Sequence, residues 1–539
     1  MSHVTQIPAT QHAIQFVGVD EIVLNTEKPV DEVGPHQMLL QVEACGICFS
    51  DTKLLHAFDS HPRKAEVVSG IDLDALPEIP SYKPGPQPVV PGHEPVVRVV
   101  KAGDKVTHFK VGDRLLVQAD WKHLRTPKSN GAFGYNFDGA LQEYALVDER
   151  CVVAPNGEEF LIHVTDGPSA AAVGLIEPWA TVEGSYAWAE RNHLKEGGRL
   201  LVITDGETNG LDALTAANAP AETVQVPPGE VASVEGQVFD DIIYYGADAD
   251  VIEATAPLLG TRATYCLVLG GEKIARKVGL DIGRVHYDFI RFIGTTGDDP
   301  ADGYAWVPAN GEIRDGDDVA IIGAAGPMGM MHTIRAVTSG FAEIKVTGTD
   351  LSDDRLAHLA KTVDPIAADR NVPITYVNTG NEELKPGFTH ISCMVPVAPL
   401  VAQAVDLAGE GAILNAFAGI PAGTLGEFDL QGIVERRIFM LGTSGSDVSD
   451  MRTVLRKIEE GVIDTHISLD AVTGMKGFRD AIDSVINRTS GGKIMVFPML
   501  HDLELTRLVD MEEKLPHVAA KLNNGIWTKE AEQALLAGK

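Results

Sequence analysis

Two short stretches concentrate side chains able to hold a metal. Glu43-Ala-Cys-Gly-Ile-Cys-Phe-Ser-Asp51 sets a thiol (Cys48), a hydroxyl (Ser50) and a carboxylate (Asp51) within four residues, and Gly92-His93-Glu94 adds an imidazole and a second carboxylate. Thiolate, imidazole and carboxylate are a set that zinc accepts, with one position left open for water or an alcohol. A third stretch suits a different ligand. The apolar run VAII leads into Gly323-Ala-Ala-Gly326-Pro327-Met328-Gly329 and then a helical stretch, MMHTIRAVTSG. Glycines there permit a tight turn and close backbone approach, so a pyrophosphate can rest on the free N–H groups of the helix start. Asp350 follows some 20 residues later, after the strand EIKVTG. A carboxylate in that place accepts hydrogen bonds from adenosine ribose hydroxyls and repels a 2′-phosphate, which favours NAD over NADP.

These residues need elements to position them, and the chain is long enough to supply several. Its 539 residues amount to about three or four domains. Hydrophobic residues at 44% against 22% charged exclude wholesale disorder. The net charge of −32 repels phosphate backbones and anionic membrane surfaces, so no nucleic-acid or membrane partner is expected. The N-terminal residues show no basic segment followed by an apolar run, and no apolar stretch is long enough to span a bilayer, so a cytoplasmic protein is expected. Five cysteines in such a chain do not make a disulfide framework. Only Cys45 and Cys48 are close in sequence.

The first 150 residues or so read as short strands split by Gly and Pro (QMLLQVEA, VVRVV, RLLVQ, EYALV), a β-rich, barrel-like domain. Residues 77–91, PEIPSYKPGPQPVVP, are expected to be a surface insertion. From Gly184 the texture alternates strand, turn, helix and strand, as in a parallel sheet with crossover helices. An internal repeat runs through this part. IRFIGTTG (Ile290–Gly297) aligns without gaps on IFMLGTSG (Ile438–Gly445), FDDIIYYG at Phe239 on FTHISCMV at Phe388, and GGRLLVITDGETNG at Gly197 on GDDVAIIGAAGPMG at Gly316. The first copy is shorter by about 30 residues, so the chain carries one complete and one shortened version of the same α/β unit. In the shortened copy Thr204 replaces the leading glycine and Gly229 falls where Asp350 stands, so that copy is expected to pack without binding a dinucleotide.

With these motifs assembled, the chain resembles the zinc-dependent medium-chain dehydrogenase/reductase family, especially its sorbitol-like polyol branch. The resemblance is carried by GICFSD, PGHE, VGDRLLV, GALQEYALV, LIEPW, the glycine turn with Asp350, and GGKIMVFP near residue 493. It implies an α/β fold with a β-rich GroES-like catalytic domain (residues 1–185), a shortened Rossmann-like repeat (186–300), an NAD-binding Rossmann domain (301–446), and a return to the catalytic domain with a helical tail (447–539). It further implies one catalytic zinc held by Cys48 and His93, with Glu94 beside the metal and Glu177 of LIEPW supplying another carboxylate. No cysteine lies between Gly92 and Arg150, so no structural zinc is expected. Lys53 stands where the family places a relay histidine, and His56 is expected to lie at the surface rather than replace it. Ser50 is then placed to accept an alcohol proton and Asp51 to orient His93.

The expected activity is reversible hydride transfer between a secondary alcohol (a polyol, sugar or sugar derivative) and NAD. Two alternatives stand beside it: a zinc-free reductase of enones or quinones, toward which the G-x-x-G-x-x-G turn leans, and a catalytically silent NAD-binding or assembly protein, suggested by the repeat and by Lys53. A phosphate on the substrate stays open, because local Lys or Arg can outweigh the overall charge inside a pocket. The repeat also suggests an intrachain pseudo-dimer, the shortened copy lending the edge that a second subunit offers in relatives, with homo-oligomers still able to form through other surfaces.

Overall fold

The computed structural model describes residues 7–538. The first six residues of the stretch searched for a leader, and Lys539 at the end of the tail, fall outside them. Contacts divide the chain into two compact units, Met1–Ala180 with Ser446–Lys539, and Thr181–Gly445. No helix among the described residues is long and apolar enough to cross a membrane.

The first unit is built on an eight-stranded sheet. Its order is Thr506–Arg507, Leu469–Thr473, Lys493–Val496, Gln37–Ile47, Glu94–Ala102, Arg114–Val117 and Leu161–His163, with Tyr144–Asp148 also paired to Gln37–Ile47. The run QMLLQVEACGI is buried along almost its whole length, which is why it takes the centre rather than an edge. Register does the rest: Gly46 lies opposite Glu94 on one side and opposite Met495 on the other. The end of one strand and the starts of two others therefore meet at a single place.

The segment expected as a surface insertion is stitched into this unit. The residues ahead of it form two short 3-10 turns, Pro62–Lys64 and Leu73–Glu78, the second running into it. Lys64 is buried, its ammonium donating to the carbonyl oxygens of Gln87 at 2.7 Å and of Lys83. Burial is also the main reason its pKa falls to about 8. Proline-rich loops cannot bond along themselves, so a buried lysine that caps their carbonyls is one way to hold them. The tail, expected to be helical, is helical only in parts. It folds as short pieces, Met511–Lys514, Pro516–Ala519 and Lys529–Ala537, because Pro516 has no N–H and turns Leu515 out of helical geometry. From the last piece, Glu532 accepts the N–H groups of Ala170 and Ala171 at 2.6 and 2.8 Å, capping the helix Ala170–Gly174.

The second unit holds two parallel sheets. The six-stranded one runs Ile374–Asn378, Lys345–Asp350, Asp318–Ile322, Phe388–Cys393, Ala408–Asn415, Phe439–Leu441; the five-stranded one runs Glu222–Val226, Arg199–Ile203, Phe239–Tyr245, Leu259–Val268, Arg291–Thr295. The orders correspond strand for strand except at the outermost Ile374–Asn378, which has no counterpart. Strands Arg291–Thr295 and Phe439–Leu441 lie beside each other, and Val202, Ile243 and Ile293 share one apolar core with Ile413, Phe439 and Leu441. A small antiparallel ribbon joins the two halves, Val278 facing Phe428 and Asp281 facing Leu425.

Candidate metal centre and dinucleotide turn

The sulfur of Cys48, a ring nitrogen of His93 and a carboxylate oxygen of Glu94 all lie within 4.8 Å of one another, the one such group among the described residues. Ligands held at about 2.0–2.3 Å around a tetrahedral ion stand roughly 3.5 Å apart, so a small contraction closes this group on a single cation. Asp51 is what brings two of the three together. It is fully buried; Oδ2 accepts the backbone N–H of Cys48 at 2.9 Å, closing the first turn of the helix Phe49–His56, and Oδ1 sits 3.1 Å from Nδ1 of His93. With Nδ1–H donating to Asp51, Nε2 keeps its lone pair, and the Ser50 hydroxyl donates to it at 3.1 Å. Cys48 occupies the N-cap of that helix.

Glu94 is buried at the start of its strand. Its Oε1 pairs with the buried ammonium of Lys493 at 2.6 Å, which also donates to the carbonyl of Ile47 at 2.9 Å. Its other oxygen, Oε2, has no hydrogen-bond partner. A buried carboxylate oxygen left in this state next to a thiol and an imidazole fits a cation ligand. Gly46 makes the room: a β-carbon there would come within 2.2 Å of that oxygen. Glu177 stands outside the three-residue group. Burial, with the charge of Glu94 next in weight, raises its carboxyl to about 7, and His93 and Lys493 act on it in the opposite sense. The ring of Tyr135 packs on His93 with centroids 5.4 Å apart. Lys493 and Tyr135 were not singled out from sequence. A charge opening the otherwise apolar strand KIMV is the signal that marks Lys493.

Asp51→Asn would keep the shape but lose the carboxylate that fixes both Cys48 and His93. Zinc affinity, read by competition with a chromophoric chelator, is expected to fall about 10–100-fold, with circular dichroism unchanged.

In the second unit, Gly323 ends its strand with φ +82°, and Gly326 caps the helix Pro327–Val337. Gly329 is required by space: a β-carbon would come 2.2 Å from the carbonyl oxygen of Gly323. Pro327 and Met328 open the helix, and its first N–H groups point out toward the turn. Asp350 closes the neighbouring strand, with Oδ1 accepting the N–H of Leu351 at 2.9 Å and Oδ2 3.4 Å from Arg355, a residue absent from the sequence expectations. Gly329→Ala is expected to push helix and turn apart, weakening NADH binding at least tenfold in a fluorescence titration and lowering Tm.

The turn that aligns with it in sequence runs from Thr204 to Gly210 and leads into a shorter helix, Leu211–Ala217. Cys45, Cys151, Cys266 and Cys393 are all buried, and burial pushes each thiol up. Lys53 is exposed on the helix Phe49–His56, and His56, also exposed, pairs with Asp20.

Residues 34–156 match the alcohol dehydrogenase GroES-like domain. Sorbitol dehydrogenase of Bombyx mori is 30% identical over 281 residues, which is 50% of this chain and 72% of the relative. Mannitol-1-phosphate 5-dehydrogenase of Aliivibrio fischeri is 26% identical over 256 residues, 42% of this chain and only 57% of the relative. The fold is that of 2R,3R-butanediol dehydrogenase from Bacillus subtilis, whose crystal structure superposes over 91% of this chain and 100% of its own with a TM-score of 0.52 at 16% identity. Two-part molecules with a GroES-like half and a Rossmann-like half form a recognisable class. Within it, the chain belongs to the zinc-type medium-chain alcohol and polyol dehydrogenase family.

Proposed function

We propose that the protein is a zinc-dependent dehydrogenase that oxidises a secondary alcohol of a polyol, sugar or sugar derivative to the ketone, reducing NAD to NADH with release of one proton. The convergence of Cys48, His93 and Glu94 carries this reading. When bound, zinc would polarise the alcohol oxygen and nicotinamide would accept the hydride. Cys48, His93 and Glu94 would hold the metal, with Glu177 as a further carboxylate close by. Ser50 is the group in place to take the hydroxyl proton, since its oxygen lies next to Nε2 of His93. Asp51 holds the imidazole in the tautomer that leaves that nitrogen free. The Gly323–Gly329 turn would seat the pyrophosphate. Asp350 favours NAD, and Arg355 beside it is the group an NADP-using variant would exploit.

Metal analysis and a panel of polyols test this. About one zinc per chain with NADH formation supports the dehydrogenase; no metal with enone reduction supports a zinc-free reductase; NAD binding without turnover supports a silent protein.

The two α/β halves are further read as a duplication folded into an intrachain pseudo-dimer. The ribbon supports it: corresponding segments pair antiparallel so that the first residue of each faces the last of the other, which is the self-complementary pattern of a two-fold interface. A crystal structure in which these ribbons pair between two chains would overturn it.

A further inference from the structure

The stretch between Cys48 and His93 brings a second feature toward the metal centre. Arg63, in the turn Pro62–Lys64, has its guanidinium carbon 5.2 Å from the centroid of the Tyr135 ring. The imidazole of His93 is 5.4 Å from the same centroid. Arginine and candidate ligand are thus separated by no more than the sum of these distances, a gap that a sugar-sized molecule spans. His61 also stacks near that ring, 5.2 Å away. Burial, followed by the charges of Arg63 and Lys53, lowers its pKa to about 4, so it is neutral at pH 7; its Nδ1 accepts the backbone N–H of Arg63 at 3.3 Å, which leaves the other ring nitrogen as a donor.

A purely structural arginine would be accounted for by Asp120, whose Oδ2 takes one N–H of Arg63 at 2.9 Å. That pair uses only part of a five-donor fork, and 28% of the Arg63 side chain stays exposed. The Arg63 guanidinium also feels the charge of Glu177, and Lys53, exposed on the helix Phe49–His56, acts on His61.

We propose that Arg63, Lys53 and His61 bind an anionic substituent of the substrate, a phosphate monoester or a carboxylate, so that the alcohol oxidised belongs to a polyol phosphate or a sugar acid. This rests on the dehydrogenase reading above and narrows it. Arginine suits the task because its planar fork matches both anions in bidentate fashion.

The test compares, on the zinc-loaded protein, a neutral polyol, its terminal phosphate and the corresponding sugar acid. One of the two anions is expected to exceed the neutral compound in kcat/KM at least tenfold, and which one does so identifies the substituent. Arg63→Met is expected to reduce that preference ratio about 10–100-fold, chiefly through KM, and Arg63→Lys to retain part of it. Independently of turnover, binding of inorganic phosphate to the metal-free protein, followed by calorimetry, should weaken in Arg63→Met and, to a smaller degree, in the exposed variant Lys53→Gln, which carries the test should Arg63→Met fold poorly. Oxidation of neutral and anionic alcohols with equal kcat/KM overturns this inference and leaves the dehydrogenase reading intact. A protein that binds phosphate through Arg63 yet oxidises no alcohol overturns the dehydrogenase reading instead.

Discussion

Cys48→Ser is expected to leave a folded protein that no longer retains zinc and has lost more than about 10³-fold in kcat/KM, because the Lewis-acid term it removes amounts to several kcal/mol of transition-state stabilisation. Serine preserves the N-cap of the helix Phe49–His56 and is itself a good capping residue, so thermal stability measured in the presence of chelator should hardly change. The informative measurement is metal content of the purified variant beside its rate. A variant that keeps one zinc per chain and full activity would remove Cys48 from the metal centre and the proposed chemistry with it.

Lys493→Met should act on stability first. Its ammonium and Glu94 form a buried pair at 2.6 Å with both side chains almost fully enclosed. Methionine matches the stem but leaves the carboxylate charged and unpaired in the interior, which costs about 3–5 kcal/mol. That loss should be largest in the metal-free protein and shrink when zinc is added, since a cation next to Oε2 of Glu94 supplies the missing charge. The difference in Tm between the wild type and Lys493→Met, with chelator and then with zinc, reads this directly. Equal differences under both conditions would place Glu94 outside the metal's reach.

What could be read before the fold was known follows from how local each signal is. Cys48, Ser50 and Asp51 share one helical turn, and that turn's own hydrogen bonds lead to His93. The glycine turn is likewise local, since Gly329 is excluded from any other identity by a carbonyl six residues upstream. The alignment of the two α/β stretches was legible because it rests on short local strings, and the strand orders run parallel except at Ile374–Asn378. Lys493 was not, because its partner is 399 residues away and nothing in KIMV says which carboxylate a buried ammonium will meet. Arg63 was hidden for a related reason: a short 3-10 turn between loops carries no periodicity from which to place its side chains. The tail misled because apolar spacing speaks for a helix while Pro516 decides where one must stop.

The strand Lys493–Val496 pairs with Gln37–Ile47, and Lys493 binds the carbonyl of Ile47 across 446 residues of sequence. During synthesis the end of the early strand therefore waits with an open edge while the intervening chain emerges, tens of seconds at about 5–20 residues per second. Exposed edges invite pairing with the wrong partner. The buried partner of Glu94 is thus missing while the intervening 399 residues are made, so the proposed cradle for a cation cannot close before the late strand has joined the sheet.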